Sequence, residues 1–476
     1  MVEIRLTKNS TWGKEGDKIE VKEEEAKMVI DCGAAIYERL AQLEEADKEE
    51  KKEVKKAGLT EEQRLQKILE RKNLFNQITE VELDKKIVGE VAARKVIFLC
   101  SCGRLVENCQ IASYNLLVND EAGTGKDYVT HSTLSILPKD SYVKKTRISP
   151  AVFTYWHNSA YDLDWTWNGK VFYTEDISET VLNHEVFKVM CSSGSEATVV
   201  IKQRAIDINI EGKPVMITTT ATSVPNPELT RRFEILNLSE NKDQTKAIIE
   251  RHAKFAVAGI SPEYNLDYSK ALGLLKRVKV RVPYAEKLCI LFPTESIMMR
   301  TKFPRFLDLI KASAAFHQFQ RKCDKNGFLL ANGQDYEISC EIMRTLISNK
   351  YFIPLTKIQK KIVEFFEEII KKEPNFNENA VKIRQKMLNF ISLPALLTNL
   401  AILTKYGILS SSIEEDAHGR DIEKFSLNQS NTNISEKVYF PSFSVICGKD
   451  IKPIIYNKDD KDIKVNLHFP SEKEVD

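Results

Sequence analysis

Residues 113–130 read SYNLLVNDEAGTGKDYVT: an apolar run, a glycine-rich turn, then Gly125-Lys126 and the start of a helical pattern. Glycines in such a turn let backbone N–H groups approach an anion closely, and a helix N-terminus adds a favourable dipole. The layout is that of a phosphate-binding loop, with Lys126 as a mobile cation for the β- and γ-phosphates of a nucleotide. Glu121, Ala122, Gly123, Thr124, Gly125, Lys126, Asp127 and Tyr128 then make up the nucleotide cradle. Two positions depart from G-x-x-x-x-G-K-[ST]: Asp120 stands where the first glycine belongs, and Asp127 where Ser or Thr belongs. A carboxylate at 127 still suits a hard cation such as Mg2+, while adding negative charge near a triphosphate.

Hydrolysis needs further groups. The apolar run 170–174 ends in Glu175 and Asp176. One carboxylate would hold Mg2+ and the other polarise the attacking water, which makes Asp127 and Glu175 the expected metal pair. Residues 215–220, VMITTT, run an apolar strand straight into hydroxyls, and Thr219 is the candidate to orient water. Threonine also simply favours strands. In residues 226–233, NPELTRRF, Arg231 or Arg232 is placed to stabilise charge on a phosphoryl group held by a neighbouring subunit. The cofactors expected are ATP and Mg2+.

These groups must be positioned by a chain of 476 residues, long enough for several domains. Apolar residues at 42% support sizeable cores, and charged residues at 29% leave a formal net charge of only +2. Any nucleic-acid contact must therefore come from local basic patches. No apolar run reaches membrane-spanning length and the start MVEIRLTKNS has no apolar signal core, so a cytoplasmic protein without a membrane role is expected. The nine cysteines are scattered and odd in number, as for free thiols in a reducing compartment. Cys100, Cys102 and Cys109 lack metal-ligand spacing, and Cys100, which ends the apolar run VIFLC, reads as a buried or partly buried thiol.

Residues 1–40 read as a small β-rich unit, with alternation over 2–6 and 18–21, a short helix over 24–32 and a strand near 34–37. Residues 41–77, rich in Glu and Lys, read as a charged helical linker. Residues 78–238 carry an α/β texture, with a buried helix over 90–104 and strands over 116–118, 151–156, 170–176, 198–202 and 215–220. Strands separated by helical spans predict a parallel sheet sandwiched by helices, with the nucleotide at the strand C-terminal ends. Residues 239–350 read as a helical lid, 351–430 as a winged helix-turn-helix and 431–476 as a tail with strand-like runs at 438–440, 453–456 and 465–467. The last helix of the winged unit, over 393–406, is mostly apolar with Lys405 its only charge, which suits a protein contact or non-specific DNA element better than a base reader. Lys382, Arg384 and Lys386 before it are the candidates for phosphate contact.

In order and kind, the glycine loop, the Glu175-Asp176 and Thr219 strand ends and the paired arginines resemble the AAA+ ATPases. Within them, the chain is similar to the minichromosome-maintenance-like and superfamily 3 replicative helicases of mobile elements, over roughly residues 78–350 and on into the winged helix. The resemblance implies a multidomain α/β protein: a AAA+ P-loop NTPase core, a helical lid, a C-terminal winged helix and a small N-terminal β-rich domain. It implies that Ile87 and Val88, in DKKIVGEVAARK at 84–95, hold adenine. It implies that residues 197–216 form a hairpin projecting into a ring channel, with Lys202 and Arg204 touching DNA. It makes 302–321 the lid helix, with Arg305, or else Arg300, reaching the γ-phosphate, while His317 on that helix reads as a satisfied core histidine. The N-terminal unit does not resemble a zinc-binding primase module, so a motor without primer synthesis is expected. The function implied is ATP hydrolysis by a DNA helicase or replication-initiation ATPase of a virus, plasmid or integrated element, a homo-hexameric ring with single-stranded DNA in its channel. The rivals are a non-motor DNA-binding switch (a helicase loader or initiator) and a degenerate ATPase scaffold, which Asp120 and Asp127 favour.

Overall fold

The computed structural model describes residues 60–109, 113–120, 123–154, 156, 165–201, 204–221, 231–238, 242–259, 262–290, 292, 299–346, 355–388, 390–405, 408–415, 421–428, 440, 443 and 446, and short strands within 2–37 and 454–464. Strands β1 (Val2–Leu6), β2 (Lys18–Val21) and β3 (Ala35–Tyr37) form an antiparallel sheet in the order β2-β1-β3. The helix expected over 24–32 lies outside the described residues.

The main core begins earlier than the charge run suggests. Helix α1 (Glu61–Leu69) opens on a capping box: the Thr60 hydroxyl accepts from the Gln63 N–H at 3.3 Å, and the Gln63 side chain accepts from the Thr60 N–H at 3.1 Å. Leu65, Ile68 and Leu69, then Leu74, Phe75 and Ile78, are buried in that core. The reading of 41–77 as one linker is thus corrected over its second half. Charge dominates the composition there, but the apolar residues recur at helical spacing and fill one face.

The site is carried by five parallel strands. In chain order the described strands of this part of the chain are β4 (Leu116–Asn119), β5 (Tyr142–Lys145), β6 (Val171–Thr174), β7 (Ser195–Ile201), β8 (Arg204–Ile210), β9 (Val215–Thr220) and β10 (Glu234–Leu236), of which β7 and β8 pair only with each other. The parallel sheet runs β10-β4-β9-β6-β5. Helices α2 (Val91–Cys102), α3 (Lys126–Leu134), α4 (Glu185–Ser192), α5 (Lys242–Ala258), α6 (Leu266–Gly273), α7 (Met299–Phe316) and α8 (Gly333–Leu346) are the longer helices of this part of the chain. Successive strand residues point to opposite faces, and the core divides accordingly. Leu116, Val118, Val171, Tyr173, Val215 and Ile217 join one cluster with α2, α7 and α8. Leu117, Phe172, Met216 and Ile235 join a second, aromatic one with Phe153, Trp167, Phe187 and Phe233. A strand over 151–156 does not form: Val152–Thr154 is a 3-10 turn whose Phe153 drops into the aromatic layer, and β5 takes the sheet edge.

Residues 239–350 do not stand apart as a lid. Most of α7 is buried, Phe316 meets Phe98 of α2 at 5.3 Å, and Phe306 meets Tyr336 of α8 at 6.0 Å. A helix apolar on nearly every face has to be surrounded. Strands β11 (Val280–Arg281) and β12 (Leu329–Leu330) pair in parallel beside it. His317 is fully buried, with Nδ1 2.9 Å from the Ser313 carbonyl. Phe440, Phe443 and Ile446 return to the same core, Phe443 lying 5.0 Å from Tyr284; the runs at 438–439 and 465–467 lie outside the described residues.

Strands β7 and β8 form an antiparallel hairpin closed at the Ile201–Arg204 pair. Its neck is tight. Gly194 and Gly212 have φ of +98° and +81°, a Cβ on Gly194 would sit 2.7 Å from the Gly212 carbonyl oxygen, and one on Gly212 would collide with the Asn168 side chain. Gly212→Ala is accordingly expected to lower stability by about 1–3 kcal/mol through strain and overpacking. Urea unfolding checks it, and an unchanged midpoint would show that the neck relaxes.

A second core lies further on. Helix α9 (Lys357–Lys372), β13 (Glu378–Asn379), α10 (Ala380–Lys386), α11 (Leu393–Lys405), β14 (Leu409–Glu415) and β15 (Asp421–Leu427) follow in that order. They surround Ile362, Phe366, Ile383, Leu396, Leu400 and Phe425, with an antiparallel sheet ordered β13-β15-β14. On α10, Lys382 pairs with Glu378 at 2.9 Å and Lys386 with Glu373 at 3.0 Å. No described helix is long and apolar enough to cross a membrane.

Candidate nucleotide site

Strand β4 ends at Asn119 and α3 begins at Lys126. Between them Gly123 and Gly125 have φ of +89° and +84°, and a Cβ at either would meet nothing within 4 Å, so the loop presents an open backbone face. The Lys126 side chain is buried, its ammonium 3.6 Å from Asp176 Oδ1 and 3.8 Å from Asp127 Oδ2. Thr124 and the exposed Tyr128 flank it, whereas Glu121 and Ala122 lie outside the described residues.

Because β9 is interposed between β4 and β6, its C-terminal end stands between the loop and the acidic turn. The Thr219 hydroxyl donates to Asp127 Oδ1 and accepts from the Asp176 N–H at 2.8 Å. Thr218 and Thr220 donate to the carbonyls of Thr174, at 2.9 Å, and Ile177, at 3.1 Å. Asp127, a departure from the expected loop pattern, is thereby matched by a hydroxyl from the neighbouring strand.

The two carboxylates after β6 diverge. Glu175 pairs with Lys144 on β5 at 2.6 Å. Asp176 has φ of +38°, and its Oδ1 accepts from the Ala221 N–H at 3.2 Å on the side facing Lys126. The carboxylates beside Lys126 are therefore Asp127 and Asp176, which corrects the expected pairing of Asp127 with Glu175. Adjacent residues leave a strand on opposite sides, and the left-handed turn at 176 decides which one faces the loop.

A cleft of about 1220 Å³ opens beside these groups, lined by Asp127, Tyr128, His131, Arg147, Glu175 and Asp176 among others. The His131 ring stacks on Tyr142 at 6.3 Å and Tyr173 at 6.4 Å, and its Nδ1 lies 3.0 Å from the Tyr142 hydroxyl. Burial, then the charge of Lys144, holds the His131 pKa below its ordinary value. The Tyr173 hydroxyl donates to the Asp127 carbonyl at 3.4 Å, and burial pushes its phenol well up. Sequence reasoning marked none of Lys144, His131, Tyr142, Tyr173 or Arg147. They meet only because β5 pairs with β6 alongside α3, and such distant pairing leaves no local signal.

The segment carrying Ile87 and Val88 lies against the first turn of α3: the Tyr128 hydroxyl donates to the Lys86 carbonyl at 3.0 Å. Ile87 is buried, and the Val88 carbonyl accepts from Gln244 of α5 at 3.2 Å.

Arg305 lies elsewhere. It is 2% exposed, with Nη1 2.6 Å from Glu234 Oε1 and Nη2 donating to the Arg231 carbonyl. Lys302, equally buried, donates to both Glu234 oxygens, at 2.7 and 2.6 Å. Glu234 is in register with Leu116, at the strand N-terminal end of the sheet, opposite Lys126. The expectation that Arg305 reaches the γ-phosphate of its own subunit is thus corrected: its guanidinium is buried with Lys302 on the one carboxylate of Glu234. Arg300 is exposed at the start of α7. Arg232 Nε donates to the Lys188 carbonyl at 3.2 Å and to the Ser192 hydroxyl at 3.0 Å, while the Arg231 side chain is exposed at the same end of the sheet. Arg204 is exposed at the closed end of the hairpin, and Lys202 lies outside the described residues.

No curated protein matches the chain. Residues 58–278 match the family model described as the MTBMA_p00010 P-loop domain, a span that takes in α1, the parallel sheet and the loop around Lys126. With its five-stranded parallel sheet flanked by helices, this segment of the chain is a nucleotide-binding P-loop NTPase domain, similar to that family.

Proposed function

We propose that the chain is an ATP-driven ring ATPase acting on DNA: a helicase or replication-initiation ATPase of a virus, plasmid or integrated element, working as a homo-hexamer around single-stranded DNA. The observation that carries this reading is the placement of Thr219. It ties Asp127 to Asp176 at one end of β9, and the other end of β9 continues into the β7–β8 hairpin. Lys126 binds the β- and γ-phosphates, and Ile87, Val88 and Tyr128 border the base. The carboxylates of Asp127 and Asp176 are hard oxygen donors that fit Mg2+, which when bound offsets charge on the phosphate oxygens. Asp176 or Glu175 orients the attacking water.

Arg231 is the better of the two candidates to reach a neighbouring subunit, because it is exposed while Arg232 is held by α4. Arg204 supplies the positive charge at the hairpin tip for DNA. The order α9-β13-α10-α11-β14-β15 supports a winged helix-turn-helix. The ion-paired Lys382 and Lys386 favour a protein contact for it over DNA reading.

Steady-state ATP hydrolysis with and without single-stranded DNA, beside Lys126→Ala, tests the proposal. Turnover that rises with DNA and vanishes in the variant is expected. Turnover indifferent to DNA would replace the motor with a switch. None above Lys126→Ala would leave a nucleotide-binding scaffold disabled by the departures at Asp120 and Asp127.

A further inference from the structure

At the end of the sheet opposite Lys126, a cavity of about 320 Å³ opens where β4, β6 and β9 begin. Among the described residues three cations line it, Arg104, Lys213 and Arg277, and one carboxylate, that of the exposed Glu107. Arg104 is only 9% exposed. Its Nε finds no partner among the described residues, and no carboxylate there forms an ion pair with it. The Nε of Arg277 is likewise buried without a partner. Lys213 is held at the rim by the Ser192 carbonyl at 3.0 Å. A short parallel bridge fixes the two arginines on one rim: the Val278 N–H donates to the Leu105 carbonyl at 2.8 Å, and the Glu107 N–H to the Val278 carbonyl at 3.0 Å.

A buried guanidinium without a counter-charge is costly, and a fold retains one where an anion completes it. The guanidinium fork matches the oxygens of a phosphate in pairs, better than an ammonium does. We propose that this cavity is a second phosphate site, separate from the nucleotide loop, in which Arg104 and Arg277 grip the phosphate oxygens and Lys213 adds charge. The phosphate comes either from a nucleic-acid backbone or as a free small phosphate. The first source has a structural route: Gly212, Lys213 and Val215 line the cavity and lead directly from the β7–β8 hairpin into β9. The site stands whether or not the nucleotide loop turns over ATP.

The test uses the full chain carrying Lys126→Ala, so that the nucleotide loop contributes little, and titrates inorganic phosphate by calorimetry at constant ionic strength with chloride as control. Saturable binding is expected, weakened about tenfold or more by Arg104→Met and, separately, by Arg277→Gln, as for loss of a bidentate charged contact. Arg104→Met removes an unpaired buried charge at similar volume, so the variant should unfold no more easily than its parent without phosphate. Arg277→Gln alters a partly buried side chain and carries the same expectation should Arg104→Met fold poorly. A short oligothymidine forms the second arm. If phosphate competes with it and both variants weaken both, the backbone is the source; if the variants weaken phosphate alone, the site takes a free anion. No phosphate binding, or binding unchanged in both variants, overturns the proposal.

Discussion

Glu234→Ala is expected to destabilise the protein by about 3–5 kcal/mol, the usual cost of leaving buried charges without their partner. Its carboxylate receives Lys302 on both oxygens and Arg305 on one, and all three groups are nearly inaccessible to water. Without it, two cations face each other in a low-dielectric interior. Chemical unfolding reads the loss directly, and adding Lys302→Met and Arg305→Met should recover much of it, since an apolar cluster has no charge to desolvate. Burial alone would raise the Glu234 carboxyl; Lys302 and Arg305 outweigh it and hold the carboxyl below its ordinary value. A folded pKa lower than the unfolded one gives stability that is fully present above the unfolded value, about 4.3, and is lost as pH falls through the folded value. The parent should therefore lose more stability than Glu234→Ala on acidification below about pH 4. Equal midpoints at neutral pH would mean that the triad contributes nothing net. The same triad holds the Arg231 carbonyl through Arg305, so its loss should also disturb the presentation of that arginine.

Thr219→Val should reduce nucleotide turnover by about 10²–10³-fold, the scale of losing one preorganised hydrogen bond at a reacting centre. Valine keeps the shape and burial of the residue but can neither donate to Asp127 nor accept from the Asp176 N–H. Since Thr219 acts through those two residues, the loss should fall on kcat more than on KM. Thr219→Ser, which keeps the hydroxyl, should restore most of the rate. A valine variant as fast as the parent would show that Asp127 and Asp176 hold their positions without this link.

The loop at 123–126 and the ends of β6 and β9 were legible because each is a local pattern: an apolar run that stops at groups able to bind phosphate, metal or water. Which of Glu175 and Asp176 turns toward Lys126 was not, because it depends on the single left-handed residue at 176 and on a cation from β5. Arg305 read as a functional arginine on helical spacing alone. Its partner, Glu234, belongs to a strand of only three residues, which alternation cannot reveal. The burial of α1 was hidden by its charge, although Leu65, Ile68 and Leu69 already carry the helical period. The unpaired Arg104 was invisible for a different reason: a sequence shows a charge but not the absence of its counter-ion.

The neck of the hairpin has a mechanical consequence. Gly194 and Gly212 lie so close to each other and to Asn168 that neither position has room for a Cβ. Strand β9, clamped between β4 and β6, runs about 3.3 Å per residue from that joint to Thr219 and cannot be stretched without breaking its ladders. For a shift of Asp127 or Asp176 when the nucleotide changes, this paired strand is the shortest hydrogen-bonded and covalent route to the hairpin.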